Sequence, residues 1–204
     1  GGGGRSWGKW FGYMRLAGVE PVWMAAGKGL NGSELPVGAV IASKKISEYV
    51  EAARWWSGST WDGHPLVCAT IVGNLEYMLA NNMLQQVRQR GAYLKERLDV
   101  LNEKHPSVGR VSGRGLFYTV DLINGEGTPI VPEDRYSAFT GDLTEMPNNI
   151  IAGENAKRGV FLGGFTPNTI KLGPPFTITQ DEIDLAIDSL DQALEIIDEK
   201  FIKN

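Results

Sequence analysis

The sequence predicts an α/β fold, and three features of it carry that reading. Short apolar runs closed by glycines lie near the start, helices with one-sided apolar stripes lie in the middle and at the end, and β-rich segments lie between them. A chain of 204 residues can bury one sizeable core, or one core and a fraction of another.

Residues 1 to 15 combine glycines, aromatics and basic residues without a period and are expected to form a loop. Val19 to Ala26 is an apolar run that stops at Gly27-Lys28-Gly29, and Pro36 to Ser43 is a second, β-branched run bounded by turn residues. Their length and flanking glycines suit buried strands. Lys44 to Trp56 reads as a short helix, followed by the loop Ser57-Gly58-Ser59-Thr60. Pro65 to about Asn81 is nearly all apolar, as a helix buried on most sides would be. The next helix is amphipathic, with Val87, Leu94, Leu98 and Leu101 on one stripe, and Pro106 ends it. Val108 to Ile123 is β-rich around Gly113-Arg114-Gly115, and residues 124 to 149 read as a long surface loop. Ala152 to Lys157 makes a helical turn or two, and Val160 to Leu162 and Thr169 to Leu172 are expected as short strands. The last helix has the clearest signal. Thr179-Gln180-Asp181-Glu182 is a capping box, in which Thr179 accepts from the Glu182 amide. Ile183, Ile187, Leu190, Leu194 and Ile197 follow as one apolar stripe.

The totals exclude several classes. A net charge of -4 provides no electrostatic reason to expect nucleic acid or an anionic membrane. No apolar run approaches the roughly 18 residues of a membrane span, and no basic, apolar signal segment opens the chain. The single cysteine, Cys68, cannot form an internal disulfide, so a reducing, cytoplasmic setting is expected. Gly1-Gly2-Gly3-Gly4 opens the chain inside what reads as a loop, and a further segment is expected before it.

Few residues invite chemistry. Gly3 to Lys9 has the spacing of a nucleotide phosphate loop, but Trp10 stands where Ser or Thr would hold magnesium, and no helix follows. Lys28 ends an apolar strand between two glycines, which let backbone or ligand approach closely. An enclosed lysine has its ammonium form disfavoured, which frees the amine to attack a carbonyl. Ser59 and Thr60 open a polar loop, Thr60-Trp61-Asp62-Gly63-His64-Pro65, just before a helix. Its hydroxyls and amides suit a phosphate, and equally Asp62 or Thr60 suits a plain N-cap. His64, His105 and Cys68 have no metal-ligand spacing, and His105 at a helix end reads as a C-terminal charge partner.

Taken together, these segments form an ordered set. Ala26-Gly27-Lys28-Gly29-Leu30 with Leu35-Pro36-Val37-Gly38-Ala39-Val40 resembles the lysine segment of the class III pyridoxal-phosphate (PLP) aminotransferases. Ser59-Thr60 with Gly63-His64-Pro65-Leu66, then Gly113-Arg114-Gly115-Leu116, then Gly173-Pro174-Pro175-Phe176-Thr177-Ile178-Thr179, are similar to the signatures that follow it. Gly4-Arg5-Ser6 with Gly8-Lys9-Trp10-Phe11-Gly12 is similar to the loop that precedes it. The resemblance implies PLP-dependent transferase fold type I: part of the large cofactor domain over residues 1–95 and a small C-terminal α+β domain over 96–204. It further implies that Lys28 forms the Schiff base with PLP and moves the substrate proton. Thr60, with Ser59, would bind the cofactor phosphate, usually that of a neighbouring subunit, so a homodimer is expected. The substrates implied are a small amine or amino acid and a keto acid.

The departures from the family bear on activity. The aspartate that pairs with the pyridine nitrogen, the stacking aromatic and the phosphate cup lie upstream of the Gly-Arg loop in the family, and none is in this chain. Trp7 is an extra residue in that loop, and Val22 stands where an aspartate is common. Phe161 to Asn168 lacks the carboxylate-binding arginine of many members, which leaves Lys171 or Arg158 to meet a substrate acid group. Three readings follow: an aminotransferase that needs an upstream half, a racemase or epimerase of the same fold, or a truncated, non-catalytic dimerising fragment.

Overall fold

The computed structural model describes residues 4–6, 8–54, 58–132, 146–162 and 164–203. Gly1 to Gly3, Trp7, Trp55 to Ser57, residues 133–145, Gly163 and Asn204 lie outside the described residues. The chain divides into two compact units, Gly1–Gln85 and Gln86–Asn204.

In the first unit a 3-10 turn at Gly12–Arg15 interrupts the expected opening loop. Strands β1 (Trp23–Gly27) and β2 (Gly38–Ala42) pair antiparallel, with Ala25 opposite Val40. Helix α1 covers Lys44–Ala53 and α2 covers Pro65–Ala80. The elements fall where the sequence places them, but their burial does not. Neither strand contains a buried residue, and α2 contains none either. A pair of strands and two helices have too few layers to enclose their own apolar faces. Val40, Tyr49, Leu66, Val72 and Leu79 therefore remain exposed.

The second unit builds a core. Helix α3 spans Met83–Lys104, and its stripe of Val87, Leu94, Leu98 and Leu101 is buried throughout. Strands β3 (Val108–Arg114) and β4 (Phe117–Leu122) form a hairpin, and β5 (Gly164–Thr166) and β6 (Thr169–Leu172) complete an antiparallel sheet of order β3-β4-β6-β5. Alternation along β4 puts Tyr118, Val120 and Leu122 inside. Helix α4 covers Pro147–Ala156, and α5 covers Gln180–Phe201. Two expectations are corrected here. The surface loop ends at Pro147, because a proline at the first helical position starts α4 there. Val160 to Leu162 is not a strand, since the ladder to β6 runs through Gly164 and Thr166 instead.

The Gly113-Arg114-Gly115 segment lies against α3. A Cβ on Gly91 of α3 would lie 2.5 Å from the Cα of Gly115, so this helix passes the hairpin turn this closely only because position 91 is glycine. The capping box forms as expected: the Glu182 amide donates to Thr179 Oγ1 at 3.2 Å and the Thr179 amide donates to Glu182 Oε2 at 2.7 Å. All five stripe residues of α5 are buried.

His105 is not a simple charge partner for the end of α3. It is buried, with Nδ1 2.7 Å from Asp198 Oδ2 and Nε2 2.7 Å from Asp191 Oδ1, both on α5. The Ser107 amide donates to the second Asp198 oxygen at 3.0 Å. Burial pushes the Asp191 carboxyl up, but hydrogen bonds from Lys104 and His105 outweigh it and hold the group below the ordinary range. Arg97 pairs with Asp184 and Asp188 farther along the same helix pair. Polar pairs thus fix the register of α5 against α3 while the apolar stripes supply the burial.

Candidate active site

The site is built from the end of β1. Gly27 closes that strand, and a Cβ there would come within 2.9 Å of the Val37 carbonyl oxygen. Only glycine lets the two backbones approach so closely. Lys28 comes next and opens a 3-10 turn, Lys28–Asn31. Its backbone is left-handed, with φ at 55°, and Ser33 in the same loop has φ at 70°. Each such residue costs on the order of 1–2 kcal/mol, a strain that persists only where the surroundings impose it.

Lys28 is exposed, not enclosed as the sequence suggests. It borders an open depression of about 480 Å³ lined by Lys28, Ser33, Glu34, Leu35, Pro36 and Val37. The reason is the one that leaves β1 and β2 uncovered: among the described residues of the first unit, no further layer lies over the hairpin.

What holds the turn is α2. Asn74 Nδ2 donates to the Leu30 carbonyl at 3.0 Å and to the Gly29 carbonyl at 3.3 Å. Asn31 is buried, and its Nδ2 donates to the Leu35 carbonyl at 3.0 Å and to Thr70 Oγ1 at 3.2 Å. Its Oδ1 is buried without a partner among the described residues. Sequence reasoning missed Asn31, Thr70 and Asn74. One signal was available: an asparagine in the middle of an almost wholly apolar helix is a poor helix former that needs another reason to be there.

Ser59 and Thr60 lie exposed in the loop before α2. The Ser59 amide donates to Asp62 Oδ2 at 2.7 Å, and Ser59 Oγ donates to Asp62 Oδ1 at 2.8 Å. Those two bonds, the backbone one foremost, hold the Asp62 carboxyl below the usual range. They also explain why Asp62 does not cap the helix. The N-cap is His64, which makes no side-chain cap bond, and Pro65 occupies the first turn. Neither Asp62 nor Thr60 is the cap that sequence reasoning allowed.

The two candidate carboxylate partners lie in the second unit. Arg158 is occupied: Nε donates to Gln192 Oε1 at 2.9 Å, and one terminal nitrogen donates to the Glu154 carbonyl at 2.7 Å. Lys171 is exposed on β6, with its ammonium 5.4 Å from the centre of the Phe117 ring. Among the described residues, no helix is long and apolar enough to cross a membrane.

This architecture has close relatives. The family model described as aminotransferase class-III matches residues 1–194. The acetylornithine aminotransferase of Bacillus subtilis (strain 168) is 33% identical over 187 residues, covering 92% of this chain and 42% of that protein. An S-selective transaminase from Arthrobacter sp. superposes with a TM-score of 0.90 at 38% identity, over 98% of this chain and 43% of its own. A taurine:2-oxoglutarate aminotransferase from Bifidobacterium kashiwanohense, solved with PLP and glutamate, gives 0.81 at 28% identity, over 97% of this chain and 42% of its own. The chain thus spans about two fifths of the length of the relatives it matches. On the family match and these superpositions, the chain belongs to the class III aminotransferase family and has the α/β fold of the PLP-dependent transaminases, fold type I.

Proposed function

We propose that this chain is the part of a PLP-dependent aminotransferase that carries the cofactor lysine, Lys28. The whole enzyme would transfer an amino group between an amine or amino acid and a keto acid. One observation carries the reading. Lys28 sits just after β1 in a left-handed backbone held by neighbouring elements, exposed and lining a depression. Strain of this kind collects where a side chain must be aimed.

The residues present fit the group. Lys28 offers an accessible primary amine for a carbonyl carbon. The first turn of α2 has no side-chain cap, so its amides remain suited to a phosphate. Of the adjacent hydroxyls, Ser59 already donates to Asp62, which makes Thr60 the better phosphate donor. When bound, PLP supplies an electron sink that stabilises negative charge at the substrate α-carbon. Lys28 then has two tasks: to hold the cofactor, and to move a proton to and from the α-carbon with the Nζ so released. For a substrate acid group Lys171 and Arg158 are the candidates, and Arg158 already donates to Gln192 and to the Glu154 carbonyl.

The uncovered faces of the first unit support a homodimer and cover from further chain. They also make the chain by itself a poor catalyst, because a water-filled site weakens every electrostatic contact the chemistry uses.

The test is covalent. The chain is incubated with PLP, reduced with borohydride and digested, and the lysines are mapped by mass spectrometry. A pyridoxyl adduct concentrated on Lys28, and lost in Lys28→Ala, is expected. Labelling spread evenly over the exposed lysines would overturn the assignment.

A further inference from the structure

We infer that Asn74 is a positioning residue for Lys28: its amide clamps the two carbonyls that follow the lysine and so fixes where the Lys28 amine stands. The inference rests on the functional reading above and adds to it a residue distant in sequence.

Several observations lead there. Helix α2 is apolar over most of its length, yet Thr70 and Asn74 stand one turn apart on it and so share a face. Both are used on the same small target. Thr70 Oγ1 accepts from Asn31, and Asn74 donates to Gly29 and Leu30, so the whole turn Lys28–Asn31 is bound to this face. The acceptors are consecutive carbonyls immediately after a residue with φ at 55°. A lysine does not hold that conformation unaided, and Gly27 against the Val37 carbonyl constrains it from the other side. The clamp therefore works on the backbone that follows the reactive residue and does not engage its side chain.

Asn31 completes the arrangement. Its bond to the Leu35 carbonyl closes the loop that forms the wall of the depression beside Lys28. Asn74 and Asn31 thus hold the lysine and the wall facing it in one piece.

The decisive variant is Asn74→Asp, which keeps shape but removes the donor; Asn74→Ala removes the side chain. Glu76→Gln, at an exposed position of the same helix, is the control. Two measurements are made on the full 204-residue chain. The first is the PLP concentration giving half-maximal borohydride-trapped adduct on Lys28. The second is amide hydrogen exchange, without cofactor, in peptides covering residues 28–35 and, separately, the rest of α2. Loss of both bonds should raise the half-saturating PLP concentration about ten-fold or more. Exchange in 28–35 should quicken in both Asn74 variants while α2 itself holds, and Glu76→Gln should match wild type in both.

Faster exchange with unchanged half-saturation would mean that Asn74 only braces the fold, and would overturn its positioning role. Unchanged exchange and half-saturation would overturn the clamp altogether. A wild-type chain with no adduct on Lys28 at all would instead sink the functional reading, and this inference with it.

Discussion

The two units of this protein treat their apolar residues in opposite ways. In the second, side chains from α3, α4, α5 and the sheet converge on one core that runs from Val87 to Ile197. In the first, Met83 is the only buried hydrophobic among the described residues, while Trp23, Val40, Leu66, Val72 and Leu79 stay in solvent. The difference lies in layering rather than composition. An antiparallel sheet with three helices can cover itself, whereas a hairpin with two helices cannot. Yet the candidate chemistry lies in the unit that lacks a core. There the Lys28 turn is held by hydrogen bonds instead of packing.

The largest expected effect separates the units outright. Residues 83–204 expressed alone should keep helical circular dichroism and melt cooperatively, because α3 begins at Met83 and every member of the core cluster lies within that stretch. Residues 1–82 alone should show no cooperative transition. A sharp melt from 1–82 would break the comparison.

A smaller effect sharpens it. Leu98 is fully buried and Leu79 is 62% exposed. Leu98→Ala should cost about 2–5 kcal/mol in urea unfolding, and Leu79→Ala within about 0.5 kcal/mol. If Leu79→Ala instead costs as much, and its cost grows with protein concentration, a second copy of the chain covers that face in solution.

How far the sequence reveals this depends on what each residue is packed against. The stripes of α3 and α5 were legible because each is buried on one face only, and the capping box was legible because its partners are three residues apart. Lys28 could be singled out from its glycines and neighbouring runs. Its exposure could not, because an apolar strand reads the same whether or not another layer covers it. The exposure of α2 was hidden for the same reason. Contacts between distant residues were invisible too. Asn74 meets Gly29 across 45 positions and His105 meets Asp198 across 93, and nothing local marks either pair. Asp62 misled because a carboxylate before a helix suggests a cap, while the nearer Ser59 donors had already engaged it.

The smallest effect concerns how α5 begins. Removing the hydroxyl in Thr179→Ala should cost about 1 kcal/mol, visible as a modest fall in the urea midpoint of the second unit. Glu182 gives the same cap a pH signature. Its carboxyl is held below the ordinary range, first by the Thr179 amide and then by the Thr179 hydroxyl. A depressed folded value means that its contribution is complete above the unfolded glutamate pKa, and is lost as pH falls through the folded one. Glu182→Gln still accepts from the Thr179 amide but cannot titrate. Its deficit against wild type should therefore be largest near neutrality and vanish below the carboxylate range. A deficit that stays constant through acid would show that shape, not charge, holds the end of α5.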